Sequence, residues 1–209
     1  MTSAHRASRA YLGGMSAESP DHLFTRTALP DDFRWLERDL PRDAWSEAGR
    51  IHAMAAHWLE IHGWFRGMLE SLTGLTAQWR EGRFTAPQFQ SLVMPRLQQF
   101  LLNLDGHHQR ESRMYFPAFA RQEPRIAEGI ALLDRDHDAV HGMLEAMVEA
   151  ANDFNRAVAD KADPAAPGEA LCTAIESAAG PLARHLHDEE DIVIPLLTLH
   201  GDPFEGRHG

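Results

Sequence analysis

Cysteine is nearly absent from this chain. Its single copy, Cys172, excludes an internal disulfide and any metal site built on several thiolates, and makes a reducing, cytoplasmic setting the expectation. Long apolar runs are missing as well: none reaches the length of a membrane span, and the N-terminus lacks the apolar core of a secretory signal. Positive charge is in deficit, with 20 Lys and Arg against 31 Asp and Glu and a formal net charge of -11, so nucleic acid and anionic membrane surfaces are repelled. Strand-like alternation does not occur. Gly and Pro, 15 and 12 of 209 residues, stay below the share a disordered chain carries. What is present is an ordinary apolar content, enough for one real core, and a surplus of 13 histidines, most of them in helical context.

Residues 1–42 hold Gly13-Gly14, Pro20, Pro30 and Pro41 with weak periodicity, and read as an N-terminal extension with a short helical turn around 31–39. From Asp43, a candidate N-cap, the spacing of Met54, Trp58, Ile61, Phe65, Leu69 and Leu72 predicts a helix over 43–79. Thr85-x-x-Gln88 is a capping box with Pro87 in the first turn, and it opens a second helix through Leu97, Phe100 and Leu104. Pro124 closes the next turn. A third helix is predicted over 125–160, a break at 163–168, and a fourth helix over 169–199 that stops at Gly201 and leaves 201–209 as a tail. Four helices with short links make an all-α, up-down-up-down four-helix bundle over 43–200.

Inside that bundle one hairpin is written twice. His62 and His137 are each followed five residues later by Gly-Met-Leu-Glu. His107-x-x-x-Glu111 has Pro117 six residues beyond its glutamate, and His185-x-x-x-Glu189 has Pro195 at the same interval. Residues four apart share a helix face, so His107 with Glu111, His137 with His141, and His185 with Glu189 each reach one place. Two such hairpins face to face gather five histidines and two carboxylates, which is how a two-metal site is built. The twofold match breaks at Arg66, which stands where the other copy has His141. If Glu111, Glu189 and a solvent oxygen bridge, one metal reaches six ligands through His137, His141 and His185. The other reaches five through His62 and His107 and keeps an open position. Nitrogen and oxygen ligands in these numbers suit iron or manganese better than zinc.

A lone His-x-x-x-Glu on an acidic helix is ordinarily a solvated pair; the ordered set carries the weight. His52 and His57 step by five from His62 and are expected to face elsewhere. His108 and His187 follow ligands by one and two residues and are expected to point away, His108 with an outer role beside the site. Tyr115 and Arg66 are candidates for hydrogen bonds near the metals, with Glu70 as the other partner for Arg66. Trp58, Phe65, Phe100, Phe116 and Phe119 read as core first and pocket second. Asp134-x-x-His137 and Asp138-x-x-His141 echo the Glu-x-x-His of ferritin-type sites, but the second and fourth helices carry the reverse order, unlike that class.

The pattern as it stands is His62, then His107-His108-Gln109-Arg110-Glu111 with Phe116-Pro117, then His137-x-x-x-His141, then His185-x-x-x-Glu189-Glu190 with Pro195. It resembles the hemerythrin-like, HHE cation-binding family over about residues 43–199. The resemblance implies a non-haem di-iron centre that binds O2, or nitric oxide or peroxide, at the five-coordinate iron, in binding or sensing. The same ligands would serve a di-iron oxidoreductase that activates O2 or peroxide on a small-molecule substrate, or an iron buffer. In classical members the second bridging carboxylate follows its histidine by five residues, which makes Glu190 the alternative to Glu189. The extension lies outside the minimal family domain, where it would cover the site or form an interface.

Overall fold

The computed structural model describes residues 22–47 and 49–205; Gly13-Gly14, Pro20 and the last residues of the tail lie outside the described residues. Every regular element among the described residues is helical. Four are long: α1 (Ala53–Arg80), α2 (Ala86–Arg110), α4 (Ala127–Ala159) and α5 (Ala165–His200). A π-helical turn (Glu111–Tyr115), the short α3 (Phe116–Gln122) and a 3-10 turn (Pro124–Ile126) join α2 to α4. Helix α5 packs on α4 and α1, α1 on α2, and α2 on α4, closing a ring around one interior. None of these helices is long and apolar enough to cross a membrane.

The local chemistry explains most boundaries, and two differ from expectation. Asp43 does not open α1. Residues Arg42–Ser46 form a 3-10 turn, Gly49 at φ +73° leaves the right-handed helical region, and the His52 side chain caps the helix by accepting from the Met54 N–H. At α2 the capping box forms, with Gln88 Oε1 accepting from the Thr85 N–H at 2.9 Å. Helix α5 begins earlier than predicted, at Ala165, because the Asp163 carboxylate caps the Ala165 N–H at 3.0 Å and Pro167 falls in the first turn, where proline is tolerated. Gly201 ends it at φ +80°.

The π turn has a cause in sequence. Pro117 has no N–H to continue the ladder, and the Phe116 N–H instead reaches back five residues to the Glu111 carbonyl. One residue is gained in register right after a predicted metal ligand.

The interior is two apolar clusters separated by a polar layer. One holds Phe65, Leu72, Phe89, Phe100, Leu144, Phe154 and Ile175; the other holds Trp58, Phe116, Phe119, Leu133, Ile192 and Leu196. Each fully buried large side chain contributes about 1.5–3 kcal/mol, and this sum is what holds the charged layer out of water. The described part of the extension is docked rather than free. Leu29, Leu36, Leu40 and Trp45 belong to the second cluster, and the expected turn around 31–39 appears as two 3-10 turns, Asp31–Phe33 and Trp35–Arg38.

Candidate metal centre

Two groups of side chains meet in the polar layer. His62, His107, Glu111 and Glu189 form one; His108, His137 and His185 form the other, and in each group the ligand atoms lie within 4.8 Å of one another. All seven residues are buried. Helix α1 supplies His62, the end of α2 both His107 and His108, the π turn Glu111, α4 His137, and α5 His185 with Glu189. The carboxylates join the groups. Glu111 Oε1 lies 2.8 Å from His107 Nε2 and its Oε2 3.5 Å from His137 Nε2. Glu189 Oε1 lies 3.4 Å from His62 Nε2 and its Oε2 3.4 Å from His185 Nε2. Each carboxylate turns one oxygen to each group.

The layer is built for a cation. Both Glu111 oxygens, Glu189 Oε2, and the Nε2 atoms of His108, His137 and His185 are buried without a hydrogen-bond partner. Leaving one such atom unpaired costs about 1–3 kcal/mol, and here they converge on a shared space. Ionisation points the same way. Burial pushes His107 and His137 down to about 3 and His108 well below the usual imidazole value, so neutral rings present lone pairs. Burial also pulls on His62, but the charges and hydrogen bonds of Glu189 and Glu190 prevail and raise it to about 9. Burial and the charge of Glu189 lift Glu111 well above the carboxylate range. Glu189 is held well below it, because His62, His185 and His107 outweigh its burial. Imidazole nitrogen and carboxylate oxygen with no thiolate is a ligand chemistry that fits iron or manganese.

A second layer fixes which ring nitrogen faces inward. His62 Nδ1 lies 3.1 Å from Glu190 Oε1, His137 Nδ1 2.9 Å from Ser112 Oγ, and His185 Nδ1 3.5 Å from Asp136 Oδ2. Tying up Nδ1 leaves Nε2 for a metal. Glu190 is occupied on both oxygens, by Arg66 at 2.7 Å and Arg42 at 2.8 Å. Arg26 spans two helices: its Nη atoms hold Asp136, and its Nε donates to Asp188 at 2.7 Å. Arg42 also donates to Asp191 at 2.6 Å. Trp58 Nε1 donates to Glu189 Oε1 at 2.5 Å.

The structure brings together His62, His107, Glu111, His137, His185 and Glu189, as the repeat places them. It does not bring His141. That side chain is 60% exposed, between Asp105 at 3.9 Å and Glu145 at 3.2 Å. The inward stripe of α4 runs through Leu133, Asp136, His137, Val140 and Leu144, and His141 lies past its edge. His108 takes that place, against the expectation that it points away. Adjacent residues are about 100° apart around a helix; that angle takes two side chains off one point, but it suits two groups lying on either side of α2. Glu190 sits in the outer layer, and Arg66 pairs with it rather than with Glu70. Tyr115 lies edge-on to Trp58, ring centroids 5.0 Å apart.

Sequence reasoning missed Asp136, Ser112, Arg26, Arg42 and the Trp58 hydrogen bond. One signal was available: residues 188–191 are four consecutive acids just before an apolar run. Four successive helical positions sweep about 300°, so they could not all lie on a solvated face. All four are buried. Arg184 stands four residues before Asp188, but Arg26, Arg42 and Arg66, which meet these acids from other elements, carry no local pattern.

No curated protein and no solved structure matches the chain. The hemerythrin HHE cation binding domain matches residues 53–197, a span that holds every residue of both groups. The match and the His/Glu cluster together mark a metal-binding protein, of a kind that usually carries iron. With well over half its length inside that match, the chain belongs to the hemerythrin HHE cation-binding family.

Proposed function

We propose that this up-down-up-down bundle holds two non-haem iron ions and binds O2, or nitric oxide or peroxide, in reversible binding or sensing. His62 and His107 with one oxygen each of Glu111 and Glu189 hold one ion. His108, His137 and His185 with the other two oxygens hold the second. The observation that carries this reading is the split of Glu111 and Glu189, each giving one oxygen to each histidine group. Two histidines against three leaves the first ion with fewer protein ligands, the same imbalance that Arg66 introduces into the repeat. Iron held there by His62, His107, Glu111 and Glu189 would supply the redox chemistry for binding a small ligand.

The chain's own residues prepare that position. Phe65 and Trp58 stand 5.2 and 5.9 Å from the His107 ring and wall it with apolar surface. Ser112, Asp136 and Glu190 hold three imidazoles in orientation through their Nδ1 atoms. Arg42 and Arg66 balance Glu190, so that its charge does not add to that of the bridging carboxylates. The lone buried Cys172 fits a reducing, cytoplasmic setting.

Protein purified from an iron-supplemented host should carry about two iron ions per chain. After anaerobic reduction, admitting O2 should raise near-ultraviolet charge-transfer absorption, and degassing should reverse it. A single ion per chain, or a spectrum that stays flat on oxygenation, overturns the reading.

A further inference from the structure

Trp58 differs from the other aromatic residues around the site in being hydrogen-bonded to it. Its indole is buried, its Nε1–H donates to Glu189 Oε1 at 2.5 Å, and its ring stands 5.9 Å from His107 and 6.4 Å from His62. Tyr115 meets it edge-on at 5.0 Å. Tyr115 is half-buried and closes the π turn that Glu111 opens. Burial, and then the charge of Asp202, raise its phenol above the ordinary value, so it keeps its proton at neutral pH. The phenylalanines close to this pair, Phe65 beside His107, Phe119 beside Trp58 and Tyr115, and Phe204 edge-on to Tyr115, do not yield an electron to biological oxidants. Indole and phenol do. Two oxidisable rings in contact, one of them bonded to a bridging carboxylate, make a continuous path from the centre outward.

We propose that Trp58 and Tyr115 form a one-electron relay between the metal centre and the protein surface, a proposal that rests on the di-iron reading. Its use is the reduction of peroxide once the irons have no electrons left to give. Peroxide takes up two electrons and two protons and leaves as two waters. Each electron is drawn from Trp58. Tyr115 refills Trp58 and releases its phenolic proton to solvent on the Asp202 side. A soluble one-electron donor of the ascorbate or thiol class then returns an electron, and solvent a proton, to Tyr115. Over two passes, two donor molecules are each oxidised by one electron, and the oxidising equivalents leave without attacking the histidine ligands.

The test compares iron-loaded wild type, Tyr115→Phe and Trp58→Phe. Each, with its iron first oxidised to the ferric state, is given one equivalent of hydrogen peroxide, frozen and examined by electron paramagnetic resonance, with iron content measured on the same samples. Wild type should show a tyrosyl radical, Tyr115→Phe a tryptophanyl radical in its place, and Trp58→Phe neither. Ascorbate-dependent peroxide consumption should fall about tenfold in Trp58→Phe. A tyrosyl signal that survives Tyr115→Phe overturns the relay, as does an iron-loaded wild type with no protein radical; in both cases the di-iron reading stands. A wild type that takes up no iron overturns both. If Trp58→Phe loads iron poorly through loss of its bond to Glu189, Tyr115→Phe still decides, because the Tyr115 ring meets Trp58, Phe119 and Phe204.

Discussion

His107 and His108 are chain neighbours that serve different groups, and this single step carries the site across from one side of α2 to the other. The repeat makes His62, His107, Glu111, His137, His185 and Glu189 legible in sequence, because an interval of four on a helix is a local geometric fact. It could not choose between His108 and His141. That choice depends on the rotation of each helix about its own axis, which its neighbours set. Two substitutions separate the alternatives. On the two-iron proposal, His108→Ala should lower iron per chain by about half, through loss of one of the two ions. His141→Ala should leave iron content unchanged, since its side chain is exposed between two carboxylates. Metal analysis of the two purified variants checks both, and equal losses would restore His141 to the site.

The elements were legible in outline. Apolar spacing marked four helices, and the Thr85–Gln88 box marked the start of α2. The start of α1 was not legible, because Asp43 is an acceptable cap until Gly49 breaks the chain direction at φ +73°. The π turn was not legible either, although Pro117 is its cause. Helix α4 offers a test at this scale in two of its glycines. A Cβ on Gly129 would stand 2.9 Å from Ile192 Cδ1 and 3.2 Å from Phe33 Cβ, so α5 and the docked extension would have to give way to it. Gly129→Ala should destabilise the protein by about 1–3 kcal/mol. Nothing lies within 4 Å of a Cβ on Gly142, where Gly142→Ala should stabilise by about 0.5–1 kcal/mol through helix propensity alone. Urea denaturation of both variants reads the two signs, and a destabilised Gly142→Ala would contradict the open space at that position.

At the scale of the whole molecule, the extension and the bundle hold one another through buried charge. Arg26 and Arg42 reach the acids of α5, and Arg26 also holds Asp136 of α4, which in turn orients His185. Removing one member of a buried pair leaves the other uncompensated, so Arg26→Ala should cost about 3–5 kcal/mol. It should also change the acid limb of stability. Burial works against the Asp136 carboxylate, but Arg26 and His185 hold its pKa below the ordinary value. A depressed carboxylate contributes stability that is present above its unfolded value and is lost as pH falls through the folded one. Wild type should therefore lose this increment only in strong acid, and Arg26→Ala should lack it at neutral pH and titrate less steeply. Thermal melts across a pH series check this. A variant that melts like wild type throughout would mean that the Arg26 bridge adds no stability.

Helix content, the doubled hairpin and most of the side chains in the two His/Glu groups were determined by sequence alone, because apolar period and an interval of four are properties of a few neighbouring residues. Tertiary structure decided that His108 turns inward and His141 outward, that Glu189 faces both groups while Glu190 is held by arginines, and that Arg26 meets Asp188 across 162 residues of chain. Each of those outcomes depends on how helices rotate and dock against one another under the penalty for burying an unpaired charge, and no local pattern encodes that.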